Sequence, residues 1–301
     1  MGNPPGIHRQ RALTRPLTKA ARERLLAALD AADRARLRSC GGPGASAWLL
    51  NPATGPQMED RHFTCASRMR LGQPVAPPRA MCQRGCGQAL DEPGHHAHRC
   101  NRGRWRNARH NAVQHAIARI LRRLHSFGVE VREHPVRVPE WDTHRRRAVL
   151  DLSVEGGPGG PLRYADVVVP HPVGDTNTPE AARRDGAAAH KAEGTKYTRY
   201  GRRVLPLAVE SYGRWGSTAL TWWRQLAKQV ALADPALAHQ GRWAIPALLH
   251  RWWAEIGVAL QTANAEGVLA SLGREGGAGA ALEVTDAAAF ELLLSPPSAS
   301  A

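Results

Sequence analysis

The chain has 301 residues, and its 41 Lys and Arg against 26 Asp and Glu give a formal charge of +15, with Arg far outnumbering Lys. That length holds one large or two modest domains, and that balance favours a polyanionic partner, nucleic acid first, although a GC-rich coding sequence would also inflate Arg. No run of eighteen apolar residues occurs and Met1 to Pro16 lacks an apolar signal core, which argues against a membrane span or a secretory leader and predicts a soluble, intracellular protein.

In chain order, Thr18 to Arg38 carries Leu25, Leu26, Leu29 and Leu37 among charged residues and predicts an amphipathic helix, stopped by Gly41, Gly42 and Gly44. Ala45 to Pro78 has mixed patterning and is read as irregular, around the apolar Trp48-Leu49-Leu50. From Trp105 to Phe127, Val113, Ile117, Ile120, Leu121 and Leu124 recur at helical spacing, with Gly128 as the cap. Strands are expected at Val129–Val138, Arg147–Val154 and Leu162–Val169, forming a three-strand meander. A helix from about Glu180 to Tyr200 follows, then a strand from Val204 to Ser211 apolar enough to be central. Helices at Ser217–Ala233 and Ala244–Leu272 hold the Trp222/Trp223 and Trp252/Trp253 pairs, read as packing residues, and the tail from Gly273 is expected to fray.

The five cysteines are an odd number, and clustering of three of them favours a metal over a disulfide in a reducing compartment. Cys82 and Cys86 are separated by three residues, as are His96 and Cys100. Two short chelating pairs joined by a loop suit a closed, tetrahedral, structural Zn²⁺ site. His95 and His98 compete with His96 as the fourth ligand, whereas Cys40 and Cys65 lack nearby partners and are expected to be buried or free.

Asp151 and Asp166 each fall inside a half-buried strand, where an isolated carboxylate is costly unless paired or metal-bound. Brought together, they would offer oxygen ligands for a catalytic Mg²⁺ or Mn²⁺. The competing reading pairs them with Arg147 or Arg163. A cation is also needed, and the residue sharing the face of Asp166 is Val168, so the lysine must come from the following helix. Lys191 and Lys196 lie five residues apart, roughly 140° around a helix, so only one faces the strands; Lys196 is preferred and Lys191 is the fallback. Glu210 is a further carboxylate, a ligand or a helix cap, while Glu130 and Glu133 are read as a solvated face. Arg99, Arg102, Arg104, Arg106 and Arg109 surround Trp105, suiting phosphate contacts with base stacking, and Arg145, Arg146 and Arg147 form a second basic run.

The Cys82, Cys86, His96, Cys100 knuckle, Arg109-His110-Asn111, the Arg147, Asp151, Asp166 spacing, Lys196-Tyr197, and Pro206 to Glu210 followed by Gly213 together resemble the C-terminal region of non-LTR retrotransposon polyproteins bearing a restriction-like endonuclease. The stretch Arg36 to Trp48 resembles the region preceding the knuckle, and the likeness spans about Leu13 to Leu272. It implies an α/β fold of PD-(D/E)XK type: helix, three-strand meander, helix, strand, with helical extensions at both ends and a small zinc knuckle. The divisions are 1–78 as a helical or irregular N-terminal region, 79–103 as the knuckle, 104–235 as the nuclease core, 236–272 as a C-terminal helix and 273–301 as a flexible tail. The resemblance further implies nicking of target DNA in the nucleus, the element's RNA as a further partner, Asp151 and Asp166 as metal ligands, and Lys196 as the catalytic lysine. Leu150 stands where the family typically shows Pro, and no Tyr-x-Asp-Asp reverse-transcriptase motif occurs. The alternative to an enzyme is a catalytically inactive, nucleic-acid-binding remnant.

Overall fold

A computed structural model describes residues 5–50, 57–133, 135–142 and 147–274. Arg145, Arg146 and the tail from 275 onward therefore lie outside the described residues. Among those described, no helix is long and apolar enough to cross a membrane.

Two helices, α1 (Pro5–Ala28) and α2 (Ala31–Ser39), replace the single one expected from Thr18 to Arg38. The chain breaks at Asp30, whose carboxylate accepts the Asp33 amide at 2.8 Å and so starts a new helix. The stretch read as irregular contains a 3-10 turn at Ala47–Leu50 and a full helix, α3 (Asp60–Leu71). Its buried face is His62, Cys65, Ala66 and Met69, a helical spacing without Leu, Ile or Val to announce it. With Trp48 this face packs against Val258 and Ala265 of the last helix, so the N-terminal region forms a common core with the C-terminal one.

After α4 (His95–Arg99) comes α5 (Trp105–Arg122), which ends in a 3-10 turn closed by Gly128 at φ +76°. The expected strand Val129–Val138 is two strands, β1 (Glu130–Arg132) and β2 (Val136–Arg137), belonging to different sheets. Arg147–Val154 is likewise divided at Asp151 into β3 (Val149–Leu150) and β4 (Leu152–Glu155). There follow β5 (Leu162–Val168), α6 (Thr178–Ala181), α7 (Ala187–Tyr200), β6 (Val204–Ala208), α8 (Ser217–Ala233), α9 (Pro235–Ala238) and α10 (Ala244–Ser271).

The chain is mixed α/β. Its main sheet has the order β1-β4-β5-β6, an antiparallel meander of β1, β4 and β5 joined by β6, which runs parallel to β5 after the α6–α7 crossover. β2 and β3 form a separate antiparallel pair. Period-two alternation divides the main sheet into two faces. Ala165, Val167, Leu205 and Leu207 join Ile117, Trp223 and Ile256 of α5, α8 and α10 in the main core, while Val204 and Tyr164 turn to Tyr200 and Tyr197 of α7. β6 is an edge strand and not the central one its apolarity suggested. All five of its residues are buried because α7 and α8 cover it, and an edge also tolerates Pro206, which has no amide proton to donate.

Candidate metal centres

Two groups of side chains with chemistry to offer emerge among the described residues, and the first could hold a metal ion. The first is the cysteine cluster, where Cys82 Sγ, Cys86 Sγ, a His96 ring nitrogen and Cys100 Sγ all lie within 4.8 Å of one another. Three thiols and an imidazole at such range can hold a metal ion, and this soft-to-borderline donor set suits Zn²⁺. The turn from Cys82 to Gln88 needs Gly85 and Gly87 at positive φ, and the Cys82 amide donates to Gln88 O at 2.9 Å to close it. Asp91 then starts α4 by accepting the His95 amide at 2.7 Å, which aims His96 Nε2 at Cys86 Sγ, 3.3 Å away. Burial pushes the Cys82 thiol up, whereas the Gln88 amide pulls the Cys86 thiol down.

His95 and His98 are not ligands. His95 Nδ1 meets the Tyr212 hydroxyl at 3.1 Å, and His98 stacks on His171 with ring centroids 4.6 Å apart while its Nδ1 meets Arg109 Nη1 at 2.8 Å. Residues 95, 96 and 98 project in different directions because each helical step turns the side chain by about 100°. Cys40 and Cys65 are buried and free, as expected.

The second group gathers at the bend between β3 and β4. The β4–β5 register ends at Leu152 and Ala165, and Asp151, at the bend just before it, lies close enough to Asp166 for the two carboxylates to interact. The Asp151 amide donates to Ala165 O at 3.1 Å, and Asp151 Oδ2 accepts the Val167 amide at 2.7 Å. Leu150 and Leu152 would share a face in a regular strand, yet they enter different clusters, because the chain turns at Asp151. From α5, His110 Nε2 lies 3.1 Å from both Asp151 Oδ2 and Val167 O; two acceptors there assign the proton to Nε2. From α7, Lys196 Nζ donates to Asp166 Oδ2 at 2.7 Å.

The two carboxylates differ electrostatically. Burial, reinforced by the neighbouring Asp151 charge and opposed by Lys196, pushes Asp166 up to about 6. Burial pushes Asp151 the same way, but the hydrogen bond and charge of His110 and the Val167 amide outweigh it and leave Asp151 below the ordinary value. Burial in turn depresses His110, and the Asp151 carboxylate more than reverses that. One carboxylate thus ionises readily while its neighbour resists, an imbalance that a shared cation would relieve.

Several other expected site residues stand elsewhere. Lys191 Nζ donates to Thr176 O (3.0 Å) and Asn177 Oδ1 (3.3 Å), away from the carboxylates. Glu210 is not a ligand either. It is 1 % exposed and accepts the Ala188 and Ala189 amides at 3.0 and 3.1 Å, capping the start of α7, and burial raises its carboxyl. Arg109 is buried and bonded to His98 and Asn264 Oδ1, so it is not one of the exposed arginines. Trp105 is half-buried with Arg84 and Arg104 over its ring at 5.7 and 5.2 Å, an arrangement that already occupies the surface a base would stack on. Arg102, Arg104, Arg106 and Arg147 are exposed. The partners found for Asp151 and Asp166 are His110 and Lys196, in place of Arg147 or Arg163. The residue that sequence reasoning left without a role is His110. Its signal was a polar pair, His110 and Gln114, one turn apart on α5 and so on one face of it, and Gln114 Nε2 reaches Asp151 O at 3.4 Å.

No family model, curated protein or solved structure matches the chain.

Proposed function

We propose that this chain is a divalent-metal-dependent endonuclease module that nicks DNA, of the restriction-like kind found in non-LTR retrotransposon polyproteins, with a structural zinc knuckle. The observation that carries this reading is the convergence of Asp151, Asp166 and Lys196 from three elements at one bend of the sheet. The order helix, antiparallel meander, crossover helix, parallel strand supports it, since a PD-(D/E)XK core is built in that sequence. Bound between the carboxylates, Mg²⁺ or Mn²⁺ would orient the attacking water and offset charge developing on the phosphate.

The protein's own residues divide the remaining work. Asp151 and Asp166 supply the anionic oxygens, His110 fixes the orientation of Asp151, and Lys196 places an ammonium beside the reacting phosphoryl group. In this reading the lysine has moved from strand to helix, and Leu150, buried among Val138, Ala148 and Tyr200, fills the place of the usual proline. The knuckle would hold Zn²⁺ through Cys82, Cys86, His96 and Cys100. DNA is the substrate, the element's RNA a further partner, and the nucleus the site of action.

The test is conversion of supercoiled plasmid to nicked circles in Mg²⁺. Asp166→Asn and Lys196→Ala are each expected to lose about 100-fold or more of the activity while still binding DNA. Wild-type protein that binds DNA without nicking it would instead identify a binding remnant, and equal nicking by Asp166→Asn would trace the activity to a contaminant.

A further inference from the structure

A cavity of about 440 Å³ opens beside the segment that follows β5, between that segment and the junction of α4 with α5. Arg99 and Arg106 line it together with Thr176 and Asn177, and Lys191 reaches its rim by hydrogen-bonding both Thr176 O and Asn177 Oδ1. Arg99, Arg106 and Lys191 therefore border one concave space. Crevices beyond the carboxyl ends of strands are where α/β sheets bind ligands.

The cavity walls are set by hydrogen bonds within the protein. Thr178 Oγ1 accepts the Gly174 amide at 2.7 Å and donates back to Gly174 O at 2.9 Å, and Asn177 Nδ2 donates to His171 O at 2.8 Å. A side chain at Gly174 would put its Cβ 3.0 Å from Arg99 Cδ, so the loop approaches the arginine as closely as glycine permits. Two lining residues, Arg109 and His171, are more than nine-tenths buried, and Arg109 Nε and His171 Nε2 have no hydrogen-bond partner among the described residues. The one carboxylate present is Asp175, paired with Arg99 at 3.5 Å. Its side chain is 99 % exposed, so water screens the pair and a stronger anion can displace it.

The cavity is also in register with the carboxylate pair. Arg106 and His110 are neighbours one turn apart on α5, about 5–6 Å between their Cβ atoms, and His110 touches Asp151. On the other side, Lys191 and Lys196 belong to the same helix, one at the cavity and one on Asp166.

We propose that this cavity holds a backbone phosphate of the nucleic-acid strand adjacent to the phosphate at the carboxylates, with Arg99, Arg106 and Lys191 as its contacts. This rests on the nucleic-acid reading of the site, not on its catalytic competence. A contact of this kind positions the strand and reads no sequence.

The experiment is fluorescence anisotropy of a labelled DNA duplex titrated with the full chain over a range of salt, without added divalent metal, so that binding is scored apart from cleavage. Arg99→Ala, Arg106→Ala and Lys191→Ala are each expected to weaken binding several-fold and to lower the salt slope by about 1. Asp175→Asn is expected to tighten binding, and Arg224→Ala, an exposed arginine on α8, to leave it unchanged. Variants that bind like wild type, or an equal loss in Arg224→Ala, would overturn the assignment. Plasmid nicking separates the two readings: selective loss of binding in a protein that never nicks keeps the cavity and removes the nuclease, and Asp166-dependent nicking with unaffected cavity variants does the reverse.

Discussion

A single imidazole decides how Asp151 presents its oxygens. His110 Nε2 contacts Asp151 Oδ2 and Val167 O at the same 3.1 Å, so the ring is held by both the carboxylate and the strand backbone next to it. Groups that orient a metal-binding carboxylate typically change affinity or activity by about 10- to 100-fold when removed. On the proposed endonuclease reading, His110→Ala is accordingly expected to raise the Mg²⁺ concentration for half-maximal nicking by about tenfold, with His110→Gln recovering part of the loss through its amide N–H. Unchanged metal dependence in the alanine variant would remove the residue from this role. Sequence alone marked Asp151 and Asp166, because a carboxylate in an apolar strand stands out against its neighbours, and it reached Lys196 because position 168 is Val and the cation had to come from the next helix. It did not give His110 a role, nor choose among His95, His96 and His98, because both questions turn on side-chain direction around a helix.

Between elements, buried charges hold the helices in place. Glu255 on α10 accepts Arg119 Nε of α5 at 2.7 Å and also bonds Arg123, with its side chain only 7 % exposed. Burial pushes Glu255 up, but the two arginines outweigh it and set the folded value below the ordinary 4.5. The stability this pairing adds is therefore fully present above about 4.5 and is lost as pH falls through the lower folded value. Glu255→Gln is expected to cost roughly 1.5–3 kcal/mol at pH 7 in urea unfolding, with the gap from wild type closing in acid; a gap independent of pH would contradict this origin. Periodicity revealed α5, α8 and α10, whose apolar stripes are long. It missed α3, whose buried face is His, Cys, Ala and Met, and it ran through the breaks at Asp30 and Asp151, where a cap and a change of strand partner override local pattern.

Across the whole molecule, the Cys82–Cys100 cluster is fastened to distant chain. The Gln83 amide donates to Ser271 O at 2.9 Å, Arg84 Nη2 donates to Gly267 O, and Gly94 lies against Val75 and Val268. Zinc loss should therefore loosen the end of α10 as well as the loop. One equivalent of zinc is expected per chain, with Cys100→Ser abolishing it and Cys65→Ala keeping it, and chelation should lower Tm by several degrees. Full metal content in Cys100→Ser would rule out the four-ligand assignment. Lys196 and the carboxylates also differ in what fixes them: β-sheet register sets the anions, and rotation of α7 sets the cation. A residue added within the Gly156–Gly160 turn would lengthen a loop and leave Asp151 held on the β5 backbone beside Asp166. The same addition between Gly186 and Lys196 would swing the ammonium by about 100° and 1.5 Å, so this one helix has a phase that its length must preserve.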